Sequence, residues 1–338
     1  MSTLAETIRF FNNTILPHVL PKWQPRFRFG FAAYALRPIA SLNGNARMVI
    51  GNRRTAESKA YRLPRTPYLL RVFPTLIHAL DLVHAGDRIA VDFSDFQDRQ
   101  VLMFAKQTER GRAIPLSFAT IRYPIVEGSQ NTFIIDQVRS FLDTVGVPVH
   151  LVFDRGFALP SLIQFLAQQS GVQFTIRLKS MKHVTTVVGR RCAVRNLTKR
   201  DVIVTAYGHE LRIIRSPRAA GASEPWYLVT NDRTSTPDDC ITRYAHRFEI
   251  EEFFKDAKRL ADLEYLRRNV SDATLTTVLW FVILGCWIAW LLAGIETAWT
   301  TMRQRLHPHR WLSRLRFWWE EIERERHAAS WPTVFASA

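Results

Sequence analysis

The chain has 338 residues, enough for two or three packed units, and 47% of them are apolar against 22% charged. This composition excludes disorder as the default state. The 46 Lys and Arg residues outnumber the 30 Asp and Glu residues, which gives a net charge of +16. Such an excess favours a polyanionic partner, because each neutralised phosphate releases counterions. A basic surface kept for solubility or for an acidic protein is the alternative.

The basic excess is concentrated at the start of the chain. Residues 1–80 hold 12 Lys and Arg and only two acids, Glu6 and Glu57, so +10 of the total +16 lies there. Aromatic residues are interleaved with the basic ones. Helical apolar spacing, interrupted by Pro64 and Pro67, follows later in this region. The pattern predicts a helical, basic DNA-binding domain over residues 1–84.

The cysteines Cys192, Cys240 and Cys286 are far apart and have no paired spacing. This argues against a disulfide framework or a zinc site and fits a reducing cytoplasm. The first residues include Glu6 and no compact apolar run, so we expect no secretory signal.

An apolar run at residues 275–295 is about as long as a membrane span. Tryptophans occur through its middle instead of forming belts at its ends. A wholly buried helix gives the same pattern, and this is the prediction. A membrane protein built around the run is the alternative.

The remaining segments predict an α/β protein. Residues 85–178 alternate between buried-type strands and amphipathic helices, and helical periodicity returns at 238–300, so both segments are assigned to one mixed sheet with flanking helices. Short strand candidates between polar turns predict a β-rich insertion at 179–237. Residues 301–338 form a basic, Trp-rich tail without a clear assignment.

The most informative motif lies on a predicted helix from Cys240 to residue 263. Successive helical residues turn by about 100°, so Tyr244, Arg247, Glu251, Lys255 and Lys258 would occupy one narrow face. A charged helix face is often only solvated, but this one stands opposite an apolar stripe. The spacing therefore leaves a functional face and a solvated face equally open.

Two aspartates lie where buried strands deliver side chains. Asp92 follows an apolar run, and Asp154 ends another, just before a turn at Arg155 and Gly156. Either residue alone could be a turn aspartate. Together with Glu251 they have a shared explanation, because carboxylates that are costly to bury unpaired can hold hard divalent cations. The three residues thus predict a site for two Mg²⁺ ions, with Mn²⁺ expected to substitute.

These residues resemble the bacterial DDE transposases of the insertion-sequence-four type. The spacing Tyr244, Arg247, Glu251, Lys258 matches that family's signature, and Asp92 and Asp154 are similar to its two aspartates. The resemblance covers residues 55–300 and implies an RNase H-like catalytic core. Trp226 lies where members can place a tryptophan that stacks on a flipped DNA base.

The resemblance implies metal-dependent cleavage at element ends and strand transfer into target DNA. Asp92, Asp154 and Glu251 would be the catalytic ligands; the expected DNA contacts are Tyr244, Arg247, Lys255, Lys258, Trp226 and Arg155. Double-stranded DNA, as terminal inverted repeats and target, and a second copy of the chain are the implied partners. A bacterial cytoplasmic, nucleoid-associated location follows, without a membrane.

Two neighbouring acids compete for the ligand roles, and the chain is compact for the family. Asp95 lies near Asp92, but strand alternation puts it on the opposite face. Glu252 adjoins Glu251 but points about 100° away from it on a helix. No separate dimerisation domain is evident. A silent DNA-binding descendant of a transposase and a nuclease without strand transfer are the alternative functions.

Overall fold

The computed structural model describes residues 3–36, 46, 50, 52–96, 98–109, 111–126, 128–218, 224–260, 270–293, 318–322 and 324–325. The chain divides into two compact units. The first comprises Met1–Leu80, Asp95–Gln100 and Glu252–Ala338, and the second comprises Asp81–Ser94 and Val101–Glu251. The domain boundaries expected from the sequence stay a prediction.

The first unit is helical in its described part. Its helices are α1 (Thr3–Phe10), α2 (Gln24–Gly30), α3 (Arg53–Arg62), α4 (Pro67–Leu70) and α5 (Val72–Ala79), with π-helical turns at Phe11–Ile15 and Phe31–Ala35. Asn52 caps α3, because its side chain accepts a hydrogen bond from the backbone N–H of Thr55 at 3.0 Å. Most of the predicted basic tail lies outside the described residues, apart from 318–322 and 324–325.

The apolar run forms helix α10 (Asp272–Ala293), which is packed inside the first unit. Its Phe281 ring lies 5.2 Å from Phe27, and its Trp280 stacks on Phe73 at 4.6 Å. A Cβ on Gly285 would lie 2.7 Å from the carbonyl oxygen of Ala35, so the backbones touch there. Within the described ranges α10 alone is long and apolar enough to cross a bilayer, but 83% of its most apolar window is buried. This burial is what the core-helix prediction requires.

The second unit is built on a mixed sheet. Its strands are β1 (Arg88–Phe96), β2 (Arg99–Lys106), β3 (Ile114–Arg122), β4 (His150–Phe153), β5 (Gln173–Leu178), β6 (His183–Thr186), β7 (Arg191–Ala193), β8 (Asp201–Ala206), β9 (His209–Arg215) and β10 (Tyr227–Thr230). Residues 95–100, at the β1–β2 turn, count with the first unit. The strand order is β3-β2-β1-β4-β5-β10-β9-β8-β6-β7.

The strands at the centre of the sheet are parallel, and helices lie before and after the middle strand, β4. β4 pairs in parallel with both β1 and β5. Helix α6 (Ser129–Val145) precedes β4, and helix α7 (Pro160–Gln168) connects β4 to β5. Gly146 ends α6 in the left-handed conformation, at φ 63°, where a side chain would be strained. The mixed α/β prediction is confirmed, and this arrangement is consistent with an RNase H-like domain.

The β-rich segment extends the same sheet. Strands β6 to β9 pair only in antiparallel fashion, and β10 joins β9 to β5. The strand candidates of this segment, residues 184–188, 202–206, 210–214 and 226–230, overlap β6, β8, β9 and β10, whereas β7, which has only three residues, was not predicted. That the segment is a separate insertion domain stays a prediction.

Candidate active site

Asp92 lies on β1, directly after three fully buried residues, Ile89, Ala90 and Val91. Its side chain is 18% exposed. The backbone N–H of Phe93 donates a hydrogen bond to its Oδ1 at 2.9 Å. The buried strand therefore fixes one carboxylate near the surface of the second unit.

Asp154 lies beside Asp92 because of strand register. Val91 of β1 pairs with Phe153 of the parallel strand β4, so the two aspartates follow a paired position at the same end of the sheet. Parallel strands present their carboxyl ends at one edge, where α/β proteins place functional groups. The register therefore brings the two aspartates predicted on buried strands to one edge of the sheet, and their role as metal ligands stays a prediction.

The motif residues lie on two helices and the turn between them. α8 (Pro237–Ala245) begins with a capping box in which Thr236 and Asp239 exchange hydrogen bonds. α9 (Phe248–Leu260) follows after a turn at His246 and Arg247. The single helix predicted from Cys240 to residue 263 is therefore wrong at this turn, and residues 261–263 lie outside the described residues.

The break in the helix coincides with contacts to distant residues. The buried Arg247 guanidinium donates to Asp92 Oδ2 and to Glu251 Oε1, both at 2.7 Å. Tyr244 is fully buried at the end of α8, and its hydroxyl donates to Asp154 Oδ1 at 3.0 Å. All three predicted carboxylates are thus joined to the motif by Arg247 and Tyr244.

The electrostatics of the cluster are unfavourable for Asp92. Burial, opposed by attraction from Arg247 and reinforced by the charges of Asp154 and Glu251, raises the pKa of its carboxyl to about 6. Burial lowers the pKa of Arg247, but attraction to Asp92, Tyr244 and Asp154 and the hydrogen bond to Glu251 together raise it, so the guanidinium stays charged. Burial raises the pKa of Tyr244, so its hydroxyl remains a hydrogen-bond donor. The site therefore holds one guanidinium against three crowded carboxyl groups.

Trp226 contacts the motif directly. It lies just before β10, half-buried, with its ring 4.9 Å from Tyr244 in an edge-on arrangement and 6.2 Å from Phe248. Arg155 is exposed on the short turn that follows Asp154. Both residues belong to the second unit, as the cluster does.

The two predicted lysines belong to the first unit. Lys255 is exposed and pairs with Glu252, and the Nζ of the half-buried Lys258 lies 5.2 Å from the centre of the Phe96 ring. The competing acid Asp95 is exposed and accepts a hydrogen bond from Gln100 at 3.2 Å. Asp95 and Glu252 thus have their own partners, whereas Asp92 and Glu251 share Arg247.

Sequence reasoning missed a second buried polar network. Arg243 donates to Asp232 Oδ2 at 2.7 Å, and Asp232 also accepts from the hydroxyl of Ser235 at 2.6 Å. His150, on β4, lies 3.0 Å from the same guanidinium. Burial and the charge of Arg243 lower the pKa of His150 to about 3, so it is neutral at pH 7. The network ties α8 to the sheet beside Tyr244. A polar residue inside the apolar lead-in to Asp154 was the available signal, at His150.

No group of three or more His, Cys, Asp or Glu side chains is arranged to hold a metal ion in the part of the chain that the structure describes. Arg247 bridges two of the three candidate ligands. The donor chemistry nevertheless fits a divalent cation, because carboxylate oxygens are hard ligands, and burial together with the neighbouring carboxylates raises the pKa of Asp92.

Comparison with known proteins supports the resemblance to DDE transposases. No curated protein matches the chain. Residues 126–287 match the family model described as the transposase DDE domain, a range that contains Asp154 and the motif up to Lys258 but not Asp92. The narrower insertion-sequence-four assignment stays a prediction. Residues 126–287, which are 162 of the 338 residues, are thus similar to the DDE domain of transposases.

Proposed function

We propose that the chain is a DNA transposase that hydrolyses phosphodiesters at the ends of a mobile element and joins the resulting 3′ ends to target DNA. The observation that carries the proposal is the shared ion pair: Arg247 binds both Asp92 and Glu251. A buried arginine held between two acids is costly to desolvate and adds little net stability, which supports a functional role for it.

Asp92, Asp154 and Glu251 are proposed to hold two Mg²⁺ ions, which Mn²⁺ can replace. When bound, the ions supply Lewis-acid activation of the attacking oxygen and stabilisation of the leaving oxygen. The Arg247 guanidinium holds oxygens of Asp92 and Glu251, the same carboxylates that would hold the metal ions. Arg247 therefore balances the carboxylate charge in the metal-free protein.

The neighbouring side chains are proposed to bind and orient DNA. The planar guanidinium of Arg247 suits a phosphate, and its buried Nε has no hydrogen-bond partner among the residues that the structure describes. Tyr244 orients the Asp154 carboxylate through its 3.0 Å hydrogen bond. Trp226 offers an indole face for an unstacked base. Backbone phosphates are the proposed partners of three cations, Arg155, Lys255 and Lys258.

The proposed partners are double-stranded DNA and a second copy of the chain. Terminal inverted repeats provide the cleavage sites, and target DNA receives the joined ends. Because two ends must be brought together, a homodimer assembled on DNA is the expected active form. The proposed place of work is the bacterial cytoplasm, at the nucleoid.

Cleavage of a duplex that carries the DNA flanking the gene tests the proposal. Asp92→Asn, Asp154→Asn and Glu251→Gln are expected to abolish Mg²⁺-dependent nicking while end binding in EDTA persists. The matched controls are the neighbouring acids: Asp95→Asn and Glu252→Gln should keep most of the activity. Nicking that survives in Asp154→Asn, or is lost in Asp95→Asn with Asp92→Asn active, would contradict the assignment.

The same assay separates the alternatives. A silent DNA-binding protein predicts binding of the ends by the wild-type chain without nicking. A nuclease predicts nicking without joined products when a target plasmid is present. Joining of the element's 3′ end to the plasmid supports the transposase.

A further inference from the structure

A second concentration of positive charge lies in the β-rich segment. Residues 179–218 contain ten Lys and Arg and only two acids, Asp201 and Glu210, which gives 10 − 2 = +8. Three of these basic residues line a groove at the ends of β8, β9 and β10. The groove is lined by Arg200, Arg215, Ser216, Pro217, Arg218 and Pro225. Three of the six lining residues are arginines, and none is an acid.

The strand register brings two of these arginines together. Asp201 pairs with Ile214, so Arg200 and Arg215 are the next opposed positions, and the Arg215 N–H donates to the Arg200 carbonyl at 2.8 Å. Like charges directly opposite each other on antiparallel strands are destabilising. Asp238 of α8 pairs with Arg200 and offsets part of this repulsion. An anion in the groove would offset the rest.

The groove adjoins the candidate active site through the backbone. Ser216 and Trp226 exchange two hydrogen bonds: the Trp226 N–H donates to Ser216 Oγ at 2.8 Å, and the Ser216 N–H donates to the Trp226 carbonyl at 2.9 Å. Trp226 contacts Tyr244, which binds Asp154. All of these residues belong to the second unit.

We propose that the groove of Arg200, Arg215 and Arg218 binds the phosphate backbone of the DNA strand whose base reaches Trp226. The inference rests on the proposed function and assigns it a substrate-binding surface. Guanidinium groups pair with phosphate through a planar fork and remain charged at every relevant pH. A row of phosphates is the ligand that matches three arginines lining one groove, and Pro225 of that groove is followed directly by Trp226.

The test is DNA binding by the full-length chain in EDTA, so that no cleavage step contributes. The probe is a fluorescent duplex of the DNA flanking the gene, and binding is measured by anisotropy across a series of NaCl concentrations. The test variant is Arg215→Gln/Arg218→Gln, because neither residue contacts the candidate catalytic carboxylates. The matched control is Arg190→Gln/Arg191→Gln, which removes the same charge from two exposed residues at the β6–β7 turn.

Each phosphate contact contributes about 0.9 to the slope of log K against log salt. The groove variant is therefore expected to lower the slope by about 1.8 and to weaken binding by at least tenfold at 0.1 M salt. The control should change binding by less than about threefold, and melting temperatures should confirm that both variants are folded.

Equal losses in the groove variant and the control, or an unchanged slope in the groove variant, would overturn the inference. That result would leave the proposed function standing, since nicking by the wild-type chain is measured separately with Mg²⁺. Absence of DNA binding by the wild-type chain would overturn both proposals.

Discussion

Replacing Asp92 by Asn is expected to stabilise the metal-free protein at neutral and alkaline pH. Burial and the neighbouring carboxylates raise the pKa of Asp92 from 3.8 to about 6, despite the Arg247 ion pair. The folded state therefore holds this proton more tightly than the unfolded state, and the free energy of unfolding falls as pH rises from about 4 to 6. The difference of 6 − 3.8 pKa units, at about 1.36 kcal/mol each, amounts to about 3 kcal/mol above pH 7.

Asparagine has nearly the same shape as a protonated aspartate and never ionises. The free energy of unfolding of Asp92→Asn should therefore exceed that of the wild type by up to about 3 kcal/mol at pH 8 and by only about 0.5 kcal/mol at pH 4. Urea unfolding in EDTA, followed by circular dichroism at pH 4, 6 and 8, measures this difference. The control Asp95→Asn changes an exposed carboxylate on the same strand. Its free energy of unfolding should stay within about 0.5 kcal/mol of the wild-type value at each pH.

A second arm of the experiment adds MgCl₂. An ion that binds only the folded state raises the free energy of unfolding by mass action. MgCl₂ should therefore raise the free energy of unfolding of the wild type, and that of Asp92→Asn much less. A variant less stable than the wild type at pH 8, or a difference that is the same at pH 4 and pH 8, would refute the reasoning. Either result would mean that Arg247 fully compensates the buried carboxylate.

Two further changes test the packing around the site and within the first unit. Trp226→Ala should spare first-strand nicking and slow the later cleavage or joining steps, with Trp226→Phe recovering part of the rate; equal losses at all steps in a destabilised protein would instead assign the ring to packing on Tyr244. Gly285→Ala should lower the free energy of unfolding by about 1–3 kcal/mol, because the added Cβ would lie 2.7 Å from the Ala35 carbonyl oxygen. Gly156→Ala is its control, since a Cβ there meets nothing within 4 Å, and urea unfolding measures both.

The central strands and the two aspartates could be predicted because their signals are local. β1 and β4 are short apolar runs, and each run leads directly into the acid that it positions. Apolar periodicity likewise marked α6 and α7. Parallel pairing then follows from the helix before β4 and the helix after it, because a crossover needs such a connection.

The break at His246 and Arg247 could not be predicted from spacing. The apolar and charged residues keep helical spacing through the turn, so periodicity alone predicts an uninterrupted helix. The contact partner of Arg247 is Asp92, 155 residues earlier, and no local pattern reports such a pair. The same limit applies to β10, whose insertion between β5 and β9 depends on register between distant segments.

The burial of α10 has a consequence for the order of events during synthesis. Phe27 cannot contact Phe281 until a further 281 − 27 = 254 residues have been synthesised. The Thr7 hydroxyl cannot bind Trp318 until a further 311 residues have been synthesised. At ribosomal rates of about 5–20 residues per second, the aromatic surface of the early helices stays uncovered for roughly 10–50 s. The β1-to-Glu251 stretch is complete before α10 emerges. A chain terminated between Glu251 and α10 would therefore carry a finished sheet and an open apolar surface, which chaperones or proteases would recognise.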